Sequence, residues 1–128
     1  MMYTFHKDER LCNKKIISSL YSSENKLLVF PLSAHWMLTE QGQSSRLQVL
    51  IVAPKKKLHH AIDRNRTKRV MRECYRLRKH LLYDILEQNN LNMALSINYI
   101  HNTLPDYHLL ENSFDKLFEA ISEDLSND

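Results

Sequence analysis

RLQVLIVAPKKKLHHAIDRNRTKRVMRECYRLRK, residues 46–79, changes character twice, and the order of those changes decides the fold. Residues 46–53 are rich in Leu, Ile and Val without charged interruption after Arg46, the pattern of a buried strand. Pro54 ends it, Lys55–His60 form a basic loop, and a helical pattern runs from about Ala61 to Gln88. NMALSINYIH, residues 92–101, returns to strand. A strand, a long helix and a second strand predict a βαβ crossover with the two strands parallel, because parallel neighbours need a connection long enough to return to the same end of the sheet.

Residues 8–22 on the N-terminal side predict a helix with Leu11, Ile16, Ile17, Leu20 and Tyr21 on one stripe. From Lys26 to Leu38 apolar residues recur at every second position (Leu28, Phe30, Leu32, Ala34, Trp36, Leu38), which predicts strand, broken or bent at Pro31 and therefore at a sheet edge. TEQGQSS, residues 39–45, reads as a hairpin connection. Pro105 opens a last helix in which Leu110, Phe114, Leu117, Phe118, Ile121 and Leu125 share a face. The sum is an α+β sandwich with one sheet. A length of 128 residues predicts one domain, and 43% hydrophobic residues exclude wholesale disorder. No apolar run approaches the roughly 18 residues of a membrane span, and the N-terminus lacks an apolar run with a small-residue cleavage site, so a soluble, cytoplasmic protein is expected. Cys12 and Cys74, lacking a C-x-x-C partner, are expected as buried or half-buried free thiols.

Charge is segregated. Residues 55–80 carry eleven of the eighteen Lys and Arg but only two of the fifteen acids, a net of +9 that leaves the rest of the chain at −6. A solubilising surface intersperses its signs; this concentration is the footprint of a polyanion site. At about 100° per residue, Asn65, Lys68, Arg69, Arg72, Arg76 and Lys79 fall in one sector of the long helix. Val70, Cys74, Leu77, Leu81 and Ile85 gather nearly opposite, with Arg78 near the boundary of that apolar face. Like charges at Lys68/Arg72, Arg69/Arg72, Arg72/Arg76 and Arg76/Lys79 each cost the helix about 0.2–0.5 kcal/mol, a repulsion that an anionic partner would remove. A ridge with cations about 5.4 Å apart suits successive phosphates of a nucleic-acid backbone. Asn65 adds a group that donates and accepts, for a phosphate, a ribose or a local cap with Asp63.

RNRTKR inside this helix, preceded by a strand ending in PKKK, resembles the RNR signature of the bacterial ribonuclease P protein component. Arg10–Leu11 before an apolar helix, the whole stretch QVLIVAPKKKLHHAIDRNRTKRVMRECYRL, strand 92–101 and the helix after LPDY occur in the family's order, so the resemblance covers nearly the whole chain, one domain from residue 1 to 128 with an acidic tail from about residue 122. It implies an αβββαβα fold like the second domain of ribosomal protein S5, with an unusual left-handed βαβ crossover. It implies two partners, a large catalytic RNA and precursor tRNA, and a role as accessory subunit of an endoribonuclease that removes the 5′ leader of precursor tRNA. The phosphodiester hydrolysis is then carried out by Mg2+ held mainly by the RNA, with no catalytic residue on the protein.

Carried over residue by residue, the signature assigns Arg64, Asn65, Arg66, Lys68, Arg69 and Arg72 to the RNA face, with Arg76 continuing the ridge. Lys56 and Lys57 stand where the family has paired lysines. The first-helix positions lining a cleft for the single-stranded leader, often Phe in relatives, are Ile17 and Tyr21; each also fits a plain core role. Tyr21 can stack a base, for about 1–3 kcal/mol, whereas Ile17 can only pack against one. His59–His60 replaces a loop that often carries Gly, Pro54 replaces a small polar residue, and the ending EDLSND differs from the basic ends of some relatives, as expected of a solvated terminus. A general structured-RNA-binding or ribosome-associated module is the alternative reading. A protein-only ribonuclease using His59, His60 and the nearby lysines is another, with no third His or carboxylate close in sequence to support it.

Overall fold

NMALSINYIH forms the middle of the protein. In the computed structural model, which describes residues 9–40 and 45–126, strand Asn92–Tyr99 is buried on both sides along nearly its whole length. In chain order the elements are α1 Lys14–Tyr21, β1 Lys26–Val29, β2 Leu32–Thr39, β3 Leu47–Val52, α2 Ala61–Gln88, β4 Asn92–Tyr99 and α3 Tyr107–Ser126. That is the αβββαβα order. The sheet runs β1-β2-β4-β3. β4 pairs parallel with β3, from Leu47 opposite Met93 to Val52 opposite Asn98, as the crossover requires. It pairs antiparallel with β2, from Leu32 opposite Tyr99 to Thr39 opposite Asn92.

Two strand expectations change. Residues 39–45 do not close a hairpin, because β4 lies between the strands they connect; a strand apolar on both faces needs a neighbour on each side, and β2 and β3 supply them. Residues 41–44 of that connection lie outside the described residues. The predicted strand 26–38 is two strands that fold back on each other at Phe30–Pro31, whose peptide bond is cis. Of these two strands β1 is an edge and β2 is interior.

One face of the sheet carries Leu32, Ala34, Trp36, Leu47, Val49, Met93, Leu95, Ile97 and Tyr99 against α2 and α3. All six residues expected on the inner face of α3 are buried there. Each fully buried Leu, Ile or Phe contributes about 1.5–3 kcal/mol, so this cluster dominates the stability. Among the described residues, the opposite face is covered only in part, by a small cluster in which Leu11, Ile16, Ile17 and Leu20 meet Met37, Leu50 and Ala94.

The first helix is shorter than periodicity predicts. Asn13 Oδ1 accepts from the backbone N–H of Lys15 and Ile16 at 3.0 and 3.3 Å, capping α1 at Lys14. The residues before it form an extended strap along β3, with Arg10 opposite Val49 and Leu11 N–H donating to the Val49 carbonyl at 2.9 Å. Cys12, expected to be buried or half-buried, is exposed in this strap, whereas Cys74 is buried and burial pushes its thiol up to about 11. Residue 8 of the predicted helix lies outside the described residues.

The long helix matches its predicted bounds but not its predicted inner face. Thr67, Met71, Cys74, Tyr75, Lys79, Leu82 and Leu86 are buried, while Leu77 and Leu81 are 36% and 45% exposed. The inner face is turned by about a quarter of the helix circumference, toward the side where Met71, Tyr75, Leu82 and Leu86 meet the sheet and α3 together. At the far end Asn90 takes a positive φ of 54°, and Leu91 N–H reaches back to the Leu86 carbonyl at 2.9 Å, which stops the helix and feeds β4. Arg46 holds that turn to the start of β3, donating to Leu91 O at 3.3 Å and Asn90 Oδ1 at 3.1 Å.

Rotation of the helix moves two cations out of their expected roles. Lys79 is only 7% exposed and its Nζ lies 2.6 Å from Glu9 Oε1. Arg78, expected at a mere boundary, clamps α2 to α3: Nε meets Asp115 Oδ1 at 2.6 Å, Nη2 meets Glu111 Oε2 at 3.2 Å, and Nη1 donates to the Cys74 carbonyl at 3.1 Å. Arg78→Glu sets a third acid against Glu111 and Asp115. Because both partners keep access to water, the expected loss is about 1–3 kcal/mol, read as a lower midpoint in urea unfolding. A midpoint equal to wild type would show that the clamp is passive. The tail is also more structured than expected, since α3 runs to Ser126 and buries Leu125 while Glu123 and Asp124 face solvent.

Candidate nucleic-acid interface

Four of the residues assigned to the RNA face lie on one exposed side of α2. Asn65 and Arg69 are exposed and Lys68 and Arg72 half-buried, and all project within a sector of about 100°. Arg66 is exposed on the flank of this ridge. The ridge is shorter than the sequence predicts. Arg76 is ion-paired with Glu73, Nε to Oε2 at 3.0 Å, and this hydrogen bond holds the Glu73 carboxyl below its ordinary range. Glu73 thereby also offsets part of the expected Arg72/Arg76 repulsion.

The basic loop is built for presentation. Leu58 is buried and acts as its anchor, and the backbone N–H groups of Lys57 and Leu58 both reach the Pro54 carbonyl at 3.1 Å, closing a tight turn. Lys56 and Lys57 stand exposed on it. Arg64 is partly committed to this loop, because Nη1 donates to the carbonyls of Leu58 and His59 at 3.1 and 2.9 Å. His59 and His60 are exposed, and His60 occupies the N-cap position of α2 without a side-chain capping bond.

The sheet face beyond α1 forms a second surface. Tyr21, at the end of α1, is 46% exposed and is not a core residue. Its hydroxyl lies 2.9 Å from Ser96 Oγ and donates to Asn98 Oδ1 at 3.0 Å, while Asn98 Nδ2 donates to Ser96 Oγ at 3.2 Å and to the Ser33 carbonyl at 3.3 Å. These bonds pin the ring over the sheet, with its centroid 4.9 Å from that of His35. Burial, and then the nearby Lys26 charge, lower the His35 pKa below its ordinary value. Ile17 is half-buried and packs in the small cluster under α1. Ser33, His35, Ser96 and Asn98 escaped the sequence reading. Their signal was present in NMALSINY, where polar residues at 96 and 98 break one face of an otherwise apolar strand.

Among the described residues, no three His, Cys, Asp or Glu side chains group where they could hold a metal ion. None of the described helices is long and apolar enough to cross a membrane.

Residues 5–122 match the family model described as Ribonuclease P. A ribonuclease P protein component of Porphyromonas gingivalis is 31% identical over 116 residues, covering 91% of this chain and 85% of the relative. One from Chlorobium phaeobacteroides is 29% identical over 128 residues, covering 92% and 88%. The solved structure of the Staphylococcus aureus RNase P protein superposes with a TM-score of 0.68 at 15% identity, covering 88% of this chain and 94% of that one, a likeness of fold. The family match takes in the strap, the lysine turn, the α2 ridge and the Tyr21 surface together, and the chain therefore belongs to the bacterial ribonuclease P protein component family.

Proposed function

We propose that this protein is the accessory subunit of a ribonuclease P ribonucleoprotein, binding the catalytic RNA and the 5′ leader of precursor tRNA while the RNA and its Mg2+ carry out the cleavage. Family membership across residues 5–122 is the observation that carries this reading. Asn65, Lys68, Arg69 and Arg72, with Arg66 at the flank, contact the catalytic RNA. Lys56 and Lys57, held out on their turn, extend the same surface. Arg64 works chiefly by fixing that turn, and Arg76 contributes less because Glu73 offsets its charge. Cation contacts of this kind neutralise phosphates where RNA segments crowd together, and so favour the folded, active RNA.

Tyr21 lies on the leader side. Its ring stacks a base of the single strand, and the bonds to Ser96 and Asn98 hold it in place before the substrate arrives. Stacking accepts any base, whereas the neighbouring Ser33, His35 and Asn98 bring polar groups to the same face.

Reconstitution tests the whole reading. Precursor tRNA is incubated with protein alone, with the cognate catalytic RNA alone, and with both. Cleavage at the mature 5′ end is expected only where the RNA is present, and the protein is expected to lower the Mg2+ needed. Cleavage by the protein alone would refute it.

Tyr21→Ala tests the leader surface. It is expected to weaken binding of leader-bearing tRNA to the assembled enzyme by about 1–3 kcal/mol and to leave binding of mature tRNA unchanged. Tyr21→Phe keeps the ring and retains most of the affinity. Equal losses for precursor and mature tRNA from Tyr21→Ala would remove Tyr21 from the leader surface.

A further inference from the structure

The sheet has two edges, and the chain treats them differently. Along β3 runs the strap, with Arg10 opposite Val49 and Leu11 N–H donating to the Val49 carbonyl at 2.9 Å. Beyond β1, among the described residues, no strand follows. An edge of this kind offers its backbone groups to another strand unless charge, proline or a bulge blocks it. Leu28, in the middle of β1, is 68% exposed, and Phe30 just past its end is 54% exposed.

Backbone bonding fixes which groups face outward. Trp36 N–H donates to the Asn25 carbonyl at 3.1 Å, and bonded pairs alternate along antiparallel strands. Leu27 and Val29 therefore bond toward Ala34 and Leu32, while Lys26 and Leu28 turn their backbone groups away from β2. Lys26 N–H is taken by the Glu24 carbonyl at 3.0 Å, which leaves Leu28 at the centre of the open edge. Among the side chains, Leu27 and Val29 pack on the main core cluster but stay half-exposed, and Leu28 lies on the other face. The partner such an edge fits is a strand with two apolar residues inward and one outward, which is the pattern of β1 itself. Ser113 Oγ on α3 donates to the Phe30 carbonyl at 2.8 Å, so the end of the edge is held in shape before any partner arrives.

We propose that β1 pairs antiparallel with β1 of a second copy of this chain, across a two-fold axis at Leu28, joining the two sheets into one. Charge sets this register. Centring on Lys26 instead would put two lysines directly opposite, with Cα atoms about 5.5 Å apart. Centring on Leu28 places the two Lys26 residues four positions apart along the strands, about 14 Å, beyond the screening length of about 8 Å at physiological salt. Leu28 then meets Leu28 on the outer face, and Leu27 meets Val29 on the inner face. The α2 ridge stays open in both copies, because α2 packs beside β3 at the opposite edge.

Sedimentation equilibrium of the nuclease-treated full-length protein tests the proposal. A contact of one short strand per copy belongs to the weak class of interfaces, so a dissociation constant on the order of 10–100 µM is expected, with monomer at about 5 µM and mostly dimer at about 500 µM. Leu28→Lys and Leu28→Glu each set like charges against one another at the axis and are each expected to weaken association more than about tenfold, whereas an equal mixture of the two is expected to restore it. Wild type that stays monomeric throughout would overturn the proposal. So would variants that associate as wild type does, or a mixture that fails to associate. Amide exchange on wild type needs no variant: Leu28 N–H is expected to exchange about threefold to fivefold more slowly at about 500 µM than at about 5 µM. Association with an unchanged Leu28 rate would move the contact to another surface and overturn the pairing of β1.

Discussion

Arg72→Glu is expected to weaken binding to the catalytic RNA by about two orders of magnitude, the largest effect of any single change on the α2 ridge. A charge-assisted hydrogen bond contributes about 1.5–3 kcal/mol, and reversing the charge adds repulsion from neighbouring phosphates. The slope of log K against log salt is expected to fall by about one to two, as it is when Lys68 and Arg69 are neutralised together. Stability is expected to change by less than about 0.5–1 kcal/mol, since Arg72 is half-buried and the change relieves its repulsion from Lys68 and Arg69. The reference substitution is Lys116→Glu, an exposed lysine on α3, which makes the same change in net charge on another element. Filter binding at fixed salt decides the matter: equal losses at positions 72 and 116 would mean that net charge, not the ridge, drives binding. Arg78 cannot serve as the reference, because its guanidinium joins α2 to α3.

Lys79→Met is expected to give the largest loss of stability, about 3–5 kcal/mol, because it leaves the Glu9 carboxylate buried without its partner. Changing both partners, Glu9→Leu with Lys79→Met, is expected to recover much of that loss. The cost of desolvating two charges disappears along with their attraction, and apolar replacements of similar volume are often close to neutral. Urea unfolding of the two single variants and the double variant forms the test. Losses that simply add would show that the two side chains do not act as a pair.

Both predictions concern the same helix, and only one could be made from its sequence. Projection onto a wheel put Lys68, Arg69, Arg72, Arg76 and Lys79 in one sector and treated them alike. Their environments separate them: Arg72 stands at the edge of a cavity, Arg76 is paired one turn away with Glu73, and Lys79 is paired with a residue 70 positions distant. The same wheel placed the apolar centre among Val70, Leu77 and Leu81. The packed helix instead buries Met71, Tyr75, Leu82 and Leu86, which meet two neighbours at once. Helical phase is local, whereas the choice of inner face depends on what the helix lies against.

Element types and order were written in the sequence, because periodicities of about two and 3.6 residues and proline positions are local signals that survive without tertiary context. So was the concentration of positive charge in residues 55–80, and with it the RNR signature that led to the family. The strand order β1-β2-β4-β3 was not, since alternation tells which residues share a face but not which strand lies beside which. Nor was the surface around Tyr21, assembled from α1, β2 and β4, or the strap that brings Arg10 to Lys68 and Arg72. Contacts between residues this far apart cost chain entropy to form, and only the packing of the whole core repays it, so tertiary structure decided which cations stand on the exposed ridge and which hold the protein together.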